Sequence, residues 1–98
     1  MAVYTLGLWR ARSGQEDGFI AAWEGMARAT KASFPTASAV LLRDRDDPKL
    51  FISFGPWESL EEIDEWRASR AFTDGVGDIR SHLEGFEPHT MDVVVSVE

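Results

Sequence analysis

The sequence contains no cysteine, and this absence removes several kinds of chemistry at once. Disulfide bonds, thiolate nucleophiles and cysteine-ligated metal sites are all excluded. No run of about 18–20 apolar residues is present that could form a membrane-spanning helix. The first residues also lack the basic and then apolar pattern of a secretory signal peptide. We therefore expect a cytoplasmic protein.

Positive charge is also scarce. Ten Lys and Arg residues stand against 17 Asp and Glu residues, which gives a formal net charge of −7 at pH 7. The basic residues are scattered along the chain and form no stripe that could follow a phosphate backbone, so we expect no nucleic-acid partner. An anionic membrane surface would repel the protein for the same reason, so we expect no membrane partner.

The chain has 98 residues and shows no linker-like tract, internal repeat or low-complexity segment. This predicts one domain spanning 1–98. Hydrophobic residues make up 44% of the chain, with four Trp and six Phe, which is typical of a globular domain. A domain this small buries only roughly 60–65% of its unfolded surface, so self-association would add useful burial.

Strand-like and helix-like segments alternate along the chain. The first predicted helix starts at a Ser13–Glu16 capping box and runs to about Ala32, the second is capped by Ser59, and a third is capped by Ser69. Gly85 is predicted to follow the end of the third helix, in the position often taken by glycine. The predicted strands are 3–10, 36–44, 49–55 and 91–97.

The predicted order is β-α-β-β-α-α-β. It indicates an α+β fold of the ferredoxin-like split β-α-β type, with an antiparallel sheet and helices on one face. The first predicted strand is apolar on both sides, since Tyr4, Leu6 and Leu8 alternate with residues such as Val3 and Trp9. Helices cover only one face, so we expect a second copy of the chain to cover the other, giving a homodimer. Within this strand, the glycine at position 7 indicates a bulge or a close approach to the backbone.

The segment 55–72 carries the strongest local signals. It contains Gly-Pro-Trp-Glu-Ser at 55–59, then Glu-Trp-Arg-Ala-Ser at 65–69, and Phe72 follows. Together with the element order and the sequence Leu-Glu-Gly-Phe-Glu-Pro at 83–88, it resembles the antibiotic biosynthesis monooxygenase family. The resemblance implies a homodimeric α+β barrel with a pocket between helices and sheet in each subunit. It also implies oxygenation of an electron-rich polycyclic phenol or anthrone without metal, flavin or other cofactor.

The family pattern is matched only in part. Its helix tryptophan corresponds to Trp66, but the oxygenases carry an Asn where this chain has Glu62 and a Tyr where it has Phe72. The haem-degrading branch needs a His where this chain has Val76 and an Asn where it has Gly7, so haem degradation is not expected. A buried Glu62 could still act as a general base.

Three residues are predicted to be catalytic: Trp66, Glu62 and His82. Trp66 would stack on a flat substrate, although its spacing also suits a core residue. Glu62 lies one helical turn before Trp66, although it is also the expected partner of Ser59 in a capping box. His82 would transfer protons near neutral pH, or be a structural residue. The predicted substrate-binding residues are Phe72, Trp9, Phe54 and Met26.

The acidic turn between the second and third predicted strands loosely resembles a calcium loop. It carries Asp44, Asp46 and Asp47, but a Lys stands where such a loop needs Gly, and no Glu closes it. We therefore interpret it as a hairpin turn and predict no metal site.

Three functional hypotheses follow. The chain is a cofactor-independent oxygenase for a small aromatic, a non-catalytic binder of a small ligand, or a structural dimer. An open cavity between helices and sheet would favour the first two. A space completely filled by aromatic side chains would favour the third.

Overall fold

The computed structural model describes residues 2–98, and its elements follow the predicted order. The helices and strands are β1 (Val3–Ala11), α1 (Glu16–Ser33), β2 (Val40–Arg43), β3 (Leu50–Trp57), α2 (Leu60–Ala68), α3 (Arg70–Arg80) and β4 (Leu83–Asp92). The four strands form one sheet in the order β2-β3-β1-β4, and every neighbouring pair is antiparallel. The predicted ferredoxin-like α+β fold is confirmed.

The position of the last strand was predicted wrongly. The sequence suggested a strand at 91–97, whereas β4 spans Leu83–Asp92 and includes both Gly85 and Pro88. Proline is compatible with this strand because β4 lies at the sheet edge, where one side of the backbone needs no hydrogen-bonded neighbour. β4 ends at Asp92 because its register partner Val3 is the first residue of β1.

Local capping was predicted correctly for two helices and wrongly for one. Ser59 accepts a hydrogen bond from the Glu62 N–H, and Ser69 accepts one from the Phe72 N–H. The Ser13 capping box does not form, because α1 begins at Glu16 behind a turn in which Gly14 has φ +83°. β2 is also shorter than the predicted segment 36–44.

The acidic turn between β2 and β3 is a hairpin turn, as predicted. An Asp44 carboxylate oxygen accepts hydrogen bonds from the backbone N–H groups of Asp46 (3.1 Å) and Asp47 (2.7 Å). The Arg10 guanidinium donates to Asp47 at 2.9 Å, and this bond, with the backbone N–H of Lys49, holds the pKa of Asp47 below its usual value. The contact therefore weakens as the pH falls through that lowered pKa.

One face of the sheet packs against the helices and forms the core. On β3 the buried residues alternate, with Phe51, Ser53, Gly55 and Trp57 on this face. Phe19 of α1 is fully buried and packs against Phe51, with ring centroids 4.8 Å apart. The helices are therefore held over the middle of the sheet.

The opposite face of the sheet, which we call the outer face, is also apolar, as the strand patterns predicted. The antiparallel register places on it apolar side chains from β1, β2 and β3, whereas β4 contributes Met91 together with the polar residues His89 and Glu87. Several are well exposed in the single chain: Val40 is 46% exposed, Leu42 52%, Phe54 37% and Met91 44%. No helix of residues 2–98 covers the outer face.

Candidate functional site

A cavity of about 360 Å³ lies between the helices and the inner face of the sheet. This volume falls within the range of small-molecule binding sites. Large apolar side chains from β1, α1, β3, α2, α3 and β4 contribute to its walls, namely Met26 and the aromatic residues Trp9, Trp23, Trp57, Trp66, Phe72 and Phe86. The space is therefore open and not filled by its own aromatic side chains.

Trp66 stands at the junction of two aromatic contacts. Its ring lies 5.0 Å from that of Trp57 and 4.7 Å from that of Phe72, measured between centroids. Elsewhere in the wall, Trp9 stacks on Phe86 at 4.1 Å with the ring planes 17° apart. These contacts fix the rings against one another, so the cavity presents a rigid aromatic surface suited to a flat ligand.

Three tryptophans of the wall each donate the indole N–H to a hydroxyl group. Trp9 donates to Ser53 at 2.8 Å, Trp57 to Thr5 at 3.0 Å, and Trp66 to Thr30 at 2.9 Å. A hydroxyl that accepts a hydrogen bond still carries its own O–H donor. Three hydroxyls in the cavity lining can therefore donate to an oxygen atom of a ligand.

Gly7 makes the position of Trp9 possible. A Cβ atom at residue 7 would lie 2.7 Å from the Trp9 indole nitrogen and 3.1 Å from the Ser53 hydroxyl oxygen. The first distance is shorter than real Cβ contacts, so a side chain at residue 7 would force the Trp9 ring to move, while the second distance is only tight. The glycine in mid-strand therefore marks a close approach to the backbone, which was one of the two alternatives predicted from the sequence.

The structure brings four of the predicted site residues together at the cavity, while the ring of a fifth lies on the opposite face of the sheet. Trp66, Phe72, Trp9 and Met26 all line the cavity. Phe54 borders it as well, but its register partner is Leu6 and its ring packs near Tyr4 on the outer face. The ring of Phe54 therefore points away from the helices.

Two residues predicted to be catalytic lie elsewhere. The Glu62 carboxylate accepts a hydrogen bond from the Glu58 backbone N–H at 3.2 Å, at the start of α2 and outside the cavity lining. The His82 ring packs over Gly18, and its Nδ1 lies 2.9 Å from the side-chain oxygen of Gln15. Both side chains thus contact helix starts instead of the cavity, and their catalytic roles stay predictions.

The ionisable residues that line the cavity are all basic: Arg28, Lys31 and Arg67. Arg28 is paired with Glu24 one helical turn earlier. Lys31 donates to the Ala37 carbonyl oxygen at 2.9 Å, and Arg67 donates to the Thr90 hydroxyl at 3.0 Å. Within residues 2–98, neither Lys31 nor Arg67 makes a salt bridge. The cavity therefore combines aromatic walls with positive charge, although the whole chain is acidic.

The family model for antibiotic biosynthesis monooxygenase matches residues 2–78, which is most of the chain. The chain belongs to the antibiotic biosynthesis monooxygenase family. The match covers β1 through most of α3 and so includes Trp66 and Phe72. No curated protein matches the chain.

Solved structures confirm the family fold along nearly the whole chain. SnoaB, a cofactor-independent oxygenase from Streptomyces nogalater, superposes with a TM-score of 0.87 at 16% identity and covers 98% of this chain and 96% of its own. Rv0793 from Mycobacterium tuberculosis gives 0.84 at 16% identity, with all of both chains covered. A Chloroflexus aurantiacus protein assigned to the same family gives 0.80 at 24% identity and covers 100% of this chain and 98% of its own.

Several cavity residues of this family member were not predicted from the sequence as site residues. They are the three hydroxyl partners Thr5, Thr30 and Ser53, together with Trp57 and Arg67. Nothing local in the sequence connects Thr30 with Trp66, 36 residues away. Only strand register and helix packing reveal these pairs.

Neither a metal-binding cluster nor a membrane-spanning helix is found in residues 2–98. No group of three or more His, Asp or Glu side chains is placed to hold a metal ion. None of the helices in this part of the chain has the length and hydropathy that crossing a bilayer requires.

Proposed function

We propose that this protein is a cofactor-independent monooxygenase that binds a small polycyclic phenol, quinol or anthrone in the helix–sheet cavity. The observation that carries the proposal is the open cavity of about 360 Å³ walled by tryptophan and phenylalanine rings around Trp66. Membership of the family and the fold shared with SnoaB, itself a cofactor-independent oxygenase, support it.

The proposed reaction balances without a cofactor. The substrate loses a proton, and the resulting electron-rich anion gives one electron to O₂. The two radicals then combine to a peroxide anion, which takes back a proton and loses water to leave a carbonyl group. For an anthrone, a ring CH₂ becomes C=O. One oxygen atom enters the product, the other leaves as water with the two hydrogens, and the substrate supplies all four electrons.

The cavity would promote this reaction by stabilising the anion. The hydroxyls of Thr5, Thr30 and Ser53 can donate to a ring oxygen, and Arg67 contributes positive charge. Donors already fixed in place stabilise a developing oxyanion without reorganisation, and a nearby cation lowers the pKa of a phenol. The substrate proton would then pass to water.

The test is oxygen uptake by the pure protein with a panel of anthrones and naphthoquinols. We expect uptake above the buffer blank for at least one compound. Trp66→Leu should lower the rate tenfold or more, which corresponds to the free energy of one aromatic contact and of the apolar area that it buries. Arg70→Gln, a change outside the cavity lining, should keep the wild-type rate. Uptake equal to the blank across the panel would contradict the proposal.

The same assay addresses the catalytic roles that the sequence predicted for Glu62 and His82. A folded Glu62→Gln or His82→Gln variant with a strongly reduced rate would support such a role. An unchanged rate would leave each residue with the structural contact described above.

A second candidate function is non-catalytic binding of a small aromatic ligand. One observation favours it: the residues that line the cavity include no Asp, Glu or His, so no side chain there is an obvious general base at neutral pH. A thermal-shift screen with aromatic compounds would separate the candidates. Ligands that raise the melting temperature and are recovered unchanged under air would support binding alone.

We also propose that the protein is a homodimer whose subunits meet through the outer face. This face carries an apolar patch, in contrast to the single apolar residues scattered over most protein surfaces, and its exposed members are Val40, Leu42, Phe54 and Met91. Closure of this face by a second copy would bury it and complete the α+β barrel that the resemblance implies.

We expect light scattering at micromolar concentration to give a dimer mass for the wild type and a monomer mass for Leu42→Asp. A charge buried in an apolar interface would remain unpaired and costs several kcal/mol, roughly a thousandfold in dissociation constant. Leu60→Asp is the matched control, because Leu60 is 59% exposed but lies on α2, away from the outer face. A monomeric wild type would contradict the proposal.

A further inference from the structure

The charge of the cavity lining opposes that of the whole chain. All of its ionisable residues are basic, while acidic residues outnumber basic ones by 17 to 10 in the sequence. Arg28 is already neutralised by Glu24, so it adds little to this field. Two uncompensated positive charges remain at the cavity, on Lys31 and Arg67.

Arg67 is the more informative of the two, because it is half-buried. A guanidinium carries five N–H donors, and one of its terminal nitrogens donates to the neutral hydroxyl of Thr90. A guanidinium at a cavity wall gains most from a carboxylate, which it can bind through two parallel hydrogen bonds. No carboxylate of residues 2–98 forms that pair.

A structural role explains part of this arrangement. Lys31 lies in the last turn of α1 and Arg67 in the last turn of α2, where a positive charge favours the helix dipole. That role does not explain why both charges border the same aromatic cavity. It also does not explain why both lack an acidic partner in a chain rich in acidic residues. These two features together point to a ligand that supplies the missing negative charge.

We propose that the cavity selects an aromatic substrate that carries a carboxylate or an equivalent anionic group, which Arg67 binds and Lys31 attracts. This inference rests on the proposed function, because it assigns a charge to the aromatic compound in that cavity. The flat ring system would lie against Trp66 and Phe72. The anionic group would lie at the Arg67 side, next to the Thr90 hydroxyl.

The test is calorimetric binding of 2-naphthoate and of 2-naphthamide, which have the same ring system and nearly the same shape but differ in charge. At pH 7 and low salt we expect the wild type to bind the carboxylate roughly ten- to hundredfold more tightly, the range of a hydrogen bond to a charged group. Added salt should reduce this preference. Arg67→Gln should remove most of it, with naphthamide affinity nearly unchanged, and Arg67→Lys should keep part of it.

Arg70→Gln is the matched control, since Arg70 is exposed, lies only three residues away and does not border the cavity. It should leave the preference intact. Circular dichroism checks the fold of each variant, and Lys31→Gln, which should weaken the preference by a smaller factor, provides a second measurement if Arg67→Gln does not fold. Equal affinity of the wild type for both compounds would overturn the inference. So would a preference unchanged in both cavity variants, or binding of neither compound.

These results stay distinct from the oxygen-uptake assay. Naphthoate binding through Arg67 with no oxygen uptake from any anthrone would contradict the oxygenase proposal alone. Oxygen uptake from neutral anthrones that is as fast as from carboxylated ones would contradict the anionic substrate alone.

Discussion

Ala27→Phe is expected to weaken binding of an aromatic ligand by roughly ten- to hundredfold while the protein stays folded. Ala27 is half-buried on α1 and lines the cavity, so a larger side chain at this position enters the space that a ligand would occupy. Overlap in a packed interior costs about 1–3 kcal/mol, which gives this range. The measurement is calorimetric titration with 2-naphthoate.

Ala29→Phe is the matched control for this prediction. Ala29 lies two residues further along the same helix, is exposed and does not border the cavity. The two substitutions have the same intrinsic cost for the helix, so a difference in ligand affinity reports the cavity alone. Equal affinities in the two variants would show that aromatic ligands bind elsewhere on the protein.

Phe19→Ala is expected to destabilise the protein by about 3–5 kcal/mol, the usual cost of removing a fully buried phenylalanine. Phe19 has no exposed surface and contacts Trp9 and Phe51, with centroid distances of 5.5 Å and 4.8 Å. Its loss would leave a void beneath α1 and release one side of the Trp9 ring. Chemical denaturation followed by tryptophan fluorescence measures the change in the free energy of unfolding.

Leu60→Ala provides the comparison for stability. Leu60 is 59% exposed, so its truncation should change the free energy of unfolding by only about 0.5 kcal/mol. A loss at Phe19 no larger than that at Leu60 would mean that the core between α1 and the sheet relaxes to fill the void. The position of Trp9 in the cavity wall would then not depend on Phe19.

The resemblance predicted the aromatic part of the site better than the acid–base part. Trp66 and Phe72 follow the family spacing on consecutive helices, and they meet at the cavity because the Ser69 cap starts α3 directly after α2. Glu62 is predicted from its family position and its helical spacing to Trp66, and His82 from its residue type and its place on the predicted third helix. Such patterns show that a residue can share a helix face with another, but not which tertiary contact its side chain makes.

The wrong strand at 91–97 illustrates the same limit. Four of its seven residues are valine, and β-branched residues favour strands. A strand also needs a neighbour for its hydrogen bonds, and β1 provides one only as far as Val3, which pairs with Asp92. The segment 83–92 contains glycine and proline, yet it pairs with β1, with one register shift between Gly85 and Leu83, because the edge position tolerates both.

The sequence alone determined the order of elements, the two serine-capped helix starts, the apolar character of both sheet faces and the family. Each of these depends on residues close together in the chain or on simple periodicity. Tertiary structure decided the open cavity, its hydroxyl–indole pairs and its positive charge. The three pairs join residues 36, 44 and 52 positions apart, and which of them meet is set by strand register and helix packing. A shift of one residue in register would turn every side chain of a strand to the other face, and the alternation of apolar residues does not specify that choice in a sheet whose two faces are both apolar.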